Sequence, residues 1–304
     1  MSGTVRRKAG DKPDAKVEGV GPMTSLHAPR RLHLLPAAAV ALLCACSPHS
    51  DNQTEPPPGF DPARFVQPAP PLDAPQVASD YEVVDAMLAL ADVKPDDDVL
   101  DLGSGDGRVL VAAARVYGAR GLGVDIDPAR VRESIANARR AGVAEKVSFR
   151  RQDLFETPLA NAEVVTLYLT RDVNLRLRPR ILAQMQPGTR VVSEQYDMGD
   201  WRPEEHRRVG DTMLYMWQVP ARLFGRWTLT LAGRTYPLVL TQRYQEIEGT
   251  LGPDSRVGQG WITGANVRFV AEVNGRDHIF EGRLDGDRLV STRRSDPWQA
   301  ARAT

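Results

Sequence analysis

Three glycines at alternate positions separate a short apolar run from a helical one, in the string Asp101-Leu102-Gly103-Ser104-Gly105-Asp106-Gly107. Glycine tolerates positive φ and lets a backbone approach a ligand closely, so such a run makes a sharp strand-to-helix turn. That unit builds parallel sheets, and a ligand lies along the turn at the carboxyl edge of the sheet. A dinucleotide site would read G-x-G-x-x-G, with a helix N-terminus left open for a pyrophosphate. Here the spacing is G-x-G-x-G, and Asp101 and Asp106 are both acidic. Carboxylates repel a pyrophosphate but suit an ammonium and a sulfonium. The turn therefore points to S-adenosylmethionine as cofactor, with the seven residues Asp101 to Gly107 as its expected contacts.

Two further aspartates support this reading. Asp125 closes the next apolar run, in Gly123-Val124-Asp125-Ile126-Asp127-Pro128, where a carboxylate can accept hydrogen bonds from both hydroxyls of a ribose. Asp153, in Arg151-Gln152-Asp153-Leu154-Phe155, follows the third run and is placed to accept from an adenine amino group, with Ile126 and Leu154 flanking the ring. Any one of these aspartates alone reads as a solvated loop or a helix cap. Three at successive strand ends make a site.

The pattern around them alternates. Helices are expected over residues 81–91, 108–116, 128–141 and 173–185, and strands over 98–102, 121–126, 147–150, 164–169 and 190–194. This predicts an α/β fold, a Rossmann-like, mostly parallel sheet covered on both faces. From about Pro220 short β-rich runs are separated by turn dipeptides, and Asn274-Gly275 between two such runs is a strong hairpin signal. The tail is therefore expected to be a small antiparallel β domain, a meander or a small open barrel. Trp227, Trp261 and Trp298 are read as its core, and Arg176, Arg178 and Arg180 as a solvated helix face.

The chain divides into residues 1–46, 47–78, 79–219 and 220–304. The first has a basic stretch at Arg30 and Arg31, a short apolar run and Leu43-Cys44-Ala45-Cys46, the pattern of a lipoprotein signal with Cys46 as the lipidated residue. Met23 is then the better start. Residues 47–78 are proline-rich and read as a linker. Cys44 and Cys46 are the only two cysteines, which leaves no disulfide framework, cysteine zinc site or thiol nucleophile beyond the signal. No metal is expected. The formal net charge of zero argues against a nucleic-acid partner. A monomer, lipid-anchored in the cell envelope and tethered to the membrane through Cys46, is expected. A cytoplasmic or inner-membrane-associated protein with an uncleaved signal is the alternative.

The segment 81–201 resembles a bacterial group of class I S-adenosylmethionine methyltransferases related to the mitochondrial protein-lysine methyltransferases that act on the ATP synthase c-ring protein. The residues that carry it are Tyr81-Glu82-Val83-Val84-Asp85-Ala86-Met87-Leu88, the glycine turn through Arg108, Gly123 to Pro128, Leu167-Tyr168-Leu169, Val191-Val192-Ser193 and Met198-Gly199-Asp200-Trp201. The tail from Gly225 to Trp298 resembles one found in some bacterial members. The resemblance implies N-methylation with protein lysine as acceptor, and it adds Tyr81 to the cofactor contacts. It departs at Asp80, where relatives carry proline, and over Ser193-Glu194-Gln195-Tyr196. In this fold the fourth and fifth strand ends face the methyl group, which makes Tyr168, Glu194 and Asp197 the acceptor-side candidates for assisting loss of the lysine proton. Two other readings stand beside this one: a small-molecule or lipid methyltransferase at the membrane, and a non-catalytic envelope lipoprotein that binds S-adenosylmethionine or another ligand.

Overall fold

The computed structural model describes residues 78–303; the expected signal, Cys46 and nearly all of the linker lie outside them. Asp98–Leu102 (β1), Val164–Leu167 (β4) and Arg190–Glu194 (β5) are buried along almost their whole length, as strands of a parallel sheet covered on both faces are. With Arg120–Asp125 (β2), Val147–Arg151 (β3), Glu205–Val209 (β6) and Thr212–Gln218 (β7), they form a seven-stranded sheet of order β3-β2-β1-β4-β5-β7-β6. All pairings are parallel except those of β7 with β5 and β6. β6 and β7 are not among the strands expected from sequence. β6 is polar and exposed on both faces, so it shows no alternation to read.

The period-two alternation along each strand separates two cores. Val99, Val164 and Val192 face one side, with Tyr81–Leu90 (α1), Arg108–Ala112 (α2) and Pro128–Arg140 (α3). Leu100, Val165 and Val191 face the other, with Arg171–Gln184 (α4). Helix α2 continues through a π-helical turn over Ala113–Tyr117, within the stretch expected to be regular helix. α3 starts at Pro128, with the Asp127 carboxylate accepting from the Ala129 amide at 2.7 Å, a capping arrangement that sets the chain direction after β2.

Eight further strands follow: Gly225–Leu231 (β8), Arg234–Arg243 (β9), Glu246–Leu251 (β10), Ser255–Thr263 (β11), Asn266–Val273 (β12), Arg276–Asp285 (β13), Arg288–Ser291 (β14) and Trp298–Arg302 (β15). Each pairs antiparallel with the next, and β15 pairs with β8. The open barrel considered from sequence is therefore closed. Asn274 and Gly275 both have positive φ, 54° and 79°, as the tight turn between β12 and β13 requires. The interior is filled by side chains: Phe269 stacks on Phe280 at 4.7 Å, Trp298 meets Phe280 edge-on at 5.4 Å, and Trp227 is 1% exposed. Trp227 and Trp298 are core residues, while Trp261 is half-buried on the barrel wall beneath the Arg202 guanidinium.

Candidate active site

The register aligns the carboxyl ends of the first three strands, pairing Leu102 with Val124 and Val124 with Arg150. At that edge the glycine turn folds over β2. The Gly103 and Ser104 amides both donate to the Val124 carbonyl at 2.9 Å. Gly103, Gly105 and Gly107 take φ of +83°, +52° and +78°, a left-handed conformation at alternate residues that only glycine adopts without strain. The turn fixes Asp125: its carboxylate accepts from the Gly105 and Asp127 amides, both at 2.9 Å. Each carboxylate oxygen can still accept a further hydrogen bond.

Asp106 occupies the place a pyrophosphate would need. Its carboxylate accepts from the Arg108 amide at the start of α2 and from the Arg108 guanidinium at 2.6 Å. Arg108 holds that carboxyl below its ordinary range against the opposing effect of burial. The anion site of the helix start is thus filled from within the chain. Asp101 is different. It is 4% exposed and accepts from Thr166 Oγ1 at 2.7 Å. Burial, helped by the charges of Asp125 and Asp106 and opposed by the Thr166 bond, pushes its carboxyl up to about 7. A cationic ligand beside Asp101 would relieve that cost. Ser104 Oγ is buried with no hydrogen-bond partner, an orphaned group that a bound ligand can satisfy.

These groups share one cleft. Asp101, Gly103, Ser104, Gly105, Asp106, Asp125, Ile126, Asp153 and Leu154 all line it. Asp153 is oriented by the Phe155 amide, which donates to it at 2.7 Å. The cleft offers a cation-seeking carboxyl, a fixed pair of acceptors for vicinal hydroxyls, and an apolar slot between Ile126 and Leu154 for a flat ring. That donor set fits S-adenosylmethionine. Sequence reading missed Ser79, Met87, Arg108, Arg130 and Gln152, which also line the cleft. Arg108 next to Asp106 was legible as a close charge pair. Ser79 and Met87 reach the cleft only because α1 packs across the sheet.

Three of the residues expected to contact the cofactor are not among those that line the cleft. The Leu102 side chain is fully buried in the core beneath the turn. The space beside Gly107 is filled by Phe149 and Ser134, so this glycine serves helix-to-sheet packing. Tyr81 is 67% exposed, with the Arg108 guanidinium 5.1 Å from its ring centroid.

On the acceptor side, Tyr168 lines the cleft, and its phenol is raised by burial and by the neighbouring charge of Glu194. The register places it beside Glu194, since Leu167 pairs with Ser193 one residue earlier. Glu194 is 3% exposed, and burial lifts its carboxyl above the ordinary range. Asp197 does not join them. It accepts from the Gly199 amide at 3.0 Å and pairs with Arg171, stabilising the loop after β5. The chain leaves β5 with Gln195 at φ 69°, and Asp197 is not among the residues that line the cleft. The arginines of α4 are not merely a solvated face either. Arg176 stacks on Phe155, Arg178 donates to the Met198 carbonyl at 2.6 Å, and Arg180 donates to the Leu154 and Thr157 carbonyls. They hold the two loops that flank the site.

The family model described as the ANTKMT methyltransferase domain matches residues 101–205. A protein-lysine N-methyltransferase of Saccharolobus islandicus (strain REY15A) is 39% identical over 138 residues, 45% of this chain and 86% of that protein. The adenine nucleotide translocase lysine N-methyltransferase of Mus musculus is 31% identical over 132 residues, 43% of this chain and 57% of that protein, so the chain spans little more than half of it. Among solved structures, an RNA methyltransferase from Salinibacter ruber in complex with S-adenosyl-L-homocysteine is 48% identical, covering 48% of this chain and 96% of that one, with a TM-score of 0.48.

Proposed function

The chain belongs to the methyltransferase family of its Saccharolobus islandicus relative, and from that premise we propose that it transfers a methyl group from S-adenosylmethionine to the side-chain nitrogen of a protein lysine. The observation that carries the reading is the convergence of Asp101, Asp125 and Asp153 from three successive strand ends on one cleft. S-adenosylmethionine supplies a methyl group already activated on a sulfonium. The chain's part is to bind, orient and exclude water. Asp125 would take the ribose hydroxyls, Asp153 the adenine amino group and Asp101 the positive end. A lysine ε-ammonium must first lose a proton, and the Glu194 carboxylate stands on the acceptor side, beside the Tyr168 phenol, to receive it. The free amine so released would form the new C–N bond as the C–S bond of bound S-adenosylmethionine breaks, with that electron pair left on sulfur.

The signal-like stretch before Cys46 supports a lipid-anchored enzyme, with an envelope or membrane protein as acceptor. Sensitivity of processing to globomycin tests the anchor. For the activity, purified protein is incubated with methyl-labelled S-adenosylmethionine and a whole-cell extract, and labelled protein is hydrolysed to amino acids. Methylated lysine is the expected product. Label confined to lipid, or no label while S-adenosylmethionine binds in calorimetry, sinks the reading.

A further inference from the structure

Ser79 precedes the first helix of the described chain, yet it is only 6% exposed. Its hydroxyl donates to Glu194 Oε2, 115 residues away in sequence. Its carbonyl accepts from Arg108 Nη1 at 2.6 Å, and Arg108 is itself fixed by the Asp106 carboxylate. Ser79 also lines the cofactor cleft, while Glu194 stands at the end of β5 on the acceptor side. One short segment therefore touches the cofactor turn through its carbonyl and the acceptor carboxylate through its hydroxyl.

We propose that Ser79 is a positioning residue for methyl transfer: its hydroxyl fixes the rotamer of the Glu194 carboxylate and holds it in the charged form that can take the proton of the acceptor ammonium. This rests on the reading of Glu194 as the acceptor-side base. The charged and titratable groups around that carboxylate are Asp80 at the start of α1 and Tyr168 after β4. Asp80 raises it, burial raises it more, and the Ser79 bond acts in the opposite direction. Among the described residues no cation forms an ion pair with Glu194, so the serine hydroxyl is the group that favours its charged form.

The test compares wild type with Ser79→Ala, Ser79→Thr and Glu194→Gln. The direct readout is titration of the Glu194 side-chain carboxyl by carbon-13 NMR, with Glu194→Gln assigning the signal, and it needs no methyl acceptor. Loss of a hydrogen bond to a charged group should move the titration upward by about one pH unit in Ser79→Ala. Ser79→Thr, which keeps the hydroxyl, should titrate like wild type. With an acceptor in hand, the acid limb of kcat should move up with the titration. On that acid limb kcat should fall by up to about tenfold while KM for S-adenosylmethionine stays within about threefold. In a Glu194→Gln background the serine change should cost nothing further. An unchanged Glu194 titration in Ser79→Ala overturns the proposal. A shifted titration with no effect on kcat in an active enzyme instead overturns the role of Glu194 as base.

Discussion

Tyr244, in the turn between β9 and β10, donates its hydroxyl to the Asp200 carboxylate of the loop after β5 at 2.9 Å. Arg243 of the barrel and Arg178 of α4 meet the same carboxylate, and together they hold it far below the usual carboxylate range. The Tyr244 ring also stacks on Trp201 at 6.3 Å, and Gln245 donates to the Arg202 carbonyl at 2.6 Å. The barrel thus braces the loop that leaves β5 on the acceptor side. Exposed ion pairs contribute little to stability. Asp200→Asn should therefore leave the fold intact while amides of residues 196–202 exchange faster with deuterium. Unchanged exchange there would show that the contacts of Trp201, Arg202 and Met198, and not the Asp200 cluster, hold the loop.

The Asp101 carboxyl gives a pH dependence whose sign is fixed. Its folded value is raised from 3.8 to about 7. The ligand-free protein is thus most favoured, through this group, below about 4, and loses that contribution as pH climbs toward 7. Glu204, raised chiefly by burial from 4.5 to about 7, adds a loss of the same sign. Thermal melts should fall between about pH 4 and 7, and the fall should shrink in Asp101→Asn.

Binding of a cationic cofactor reverses that shift. At pH 6 Asp101 should release a proton as S-adenosylmethionine enters, seen as a buffer-dependent enthalpy in calorimetry. Asp101→Asn should abolish the buffer dependence and weaken binding about 10- to 100-fold. An enthalpy that does not vary with buffer in wild type would place the cation elsewhere.

Two glycines of the turn should fail in different ways. At Gly107 a Cβ would come within 2.7 Å of Phe149 and Ser134, so Gly107→Ala should lower stability by about 2 kcal/mol or more. At Gly105 a Cβ meets no protein atom within 4 Å, so Gly105→Ala should cost only about 1 kcal/mol of left-handed strain. Its methyl group would instead stand on the cleft side and weaken S-adenosylmethionine binding. Melting temperature and calorimetry, run on both variants, separate the two outcomes.

In the barrel, Phe280→Ala removes the ring that Phe269 and Trp298 pack against and should cost roughly 3–5 kcal/mol in barrel stability. S-adenosylmethionine affinity should stay near wild type, because no barrel residue is among the described residues lining the cleft. A large loss of affinity would mean that the brace on the β5 loop reaches the cofactor.

Much of this protein was written locally. The glycine turn, the aspartates at the strand ends and the Asn274-Gly275 hairpin each depend on a few neighbouring residues, because φ preferences and strand alternation act over two to five positions. They were enough to specify the parallel sheet, the antiparallel tail and the cofactor chemistry. The tertiary structure decided what depends on distant partners. It closed the barrel, paired β7 with β5, and set Arg178 and Arg180 to loop carbonyls. It kept Glu194 beside Tyr168 but paired Asp197 with Arg171 and the Gly199 amide. It also joined Ser79 to Glu194, a bond that spans 115 residues and has no periodicity or motif to announce it. Short-range backbone preference is encoded residue by residue, whereas a hydrogen bond between distant side chains exists only once packing has brought them together.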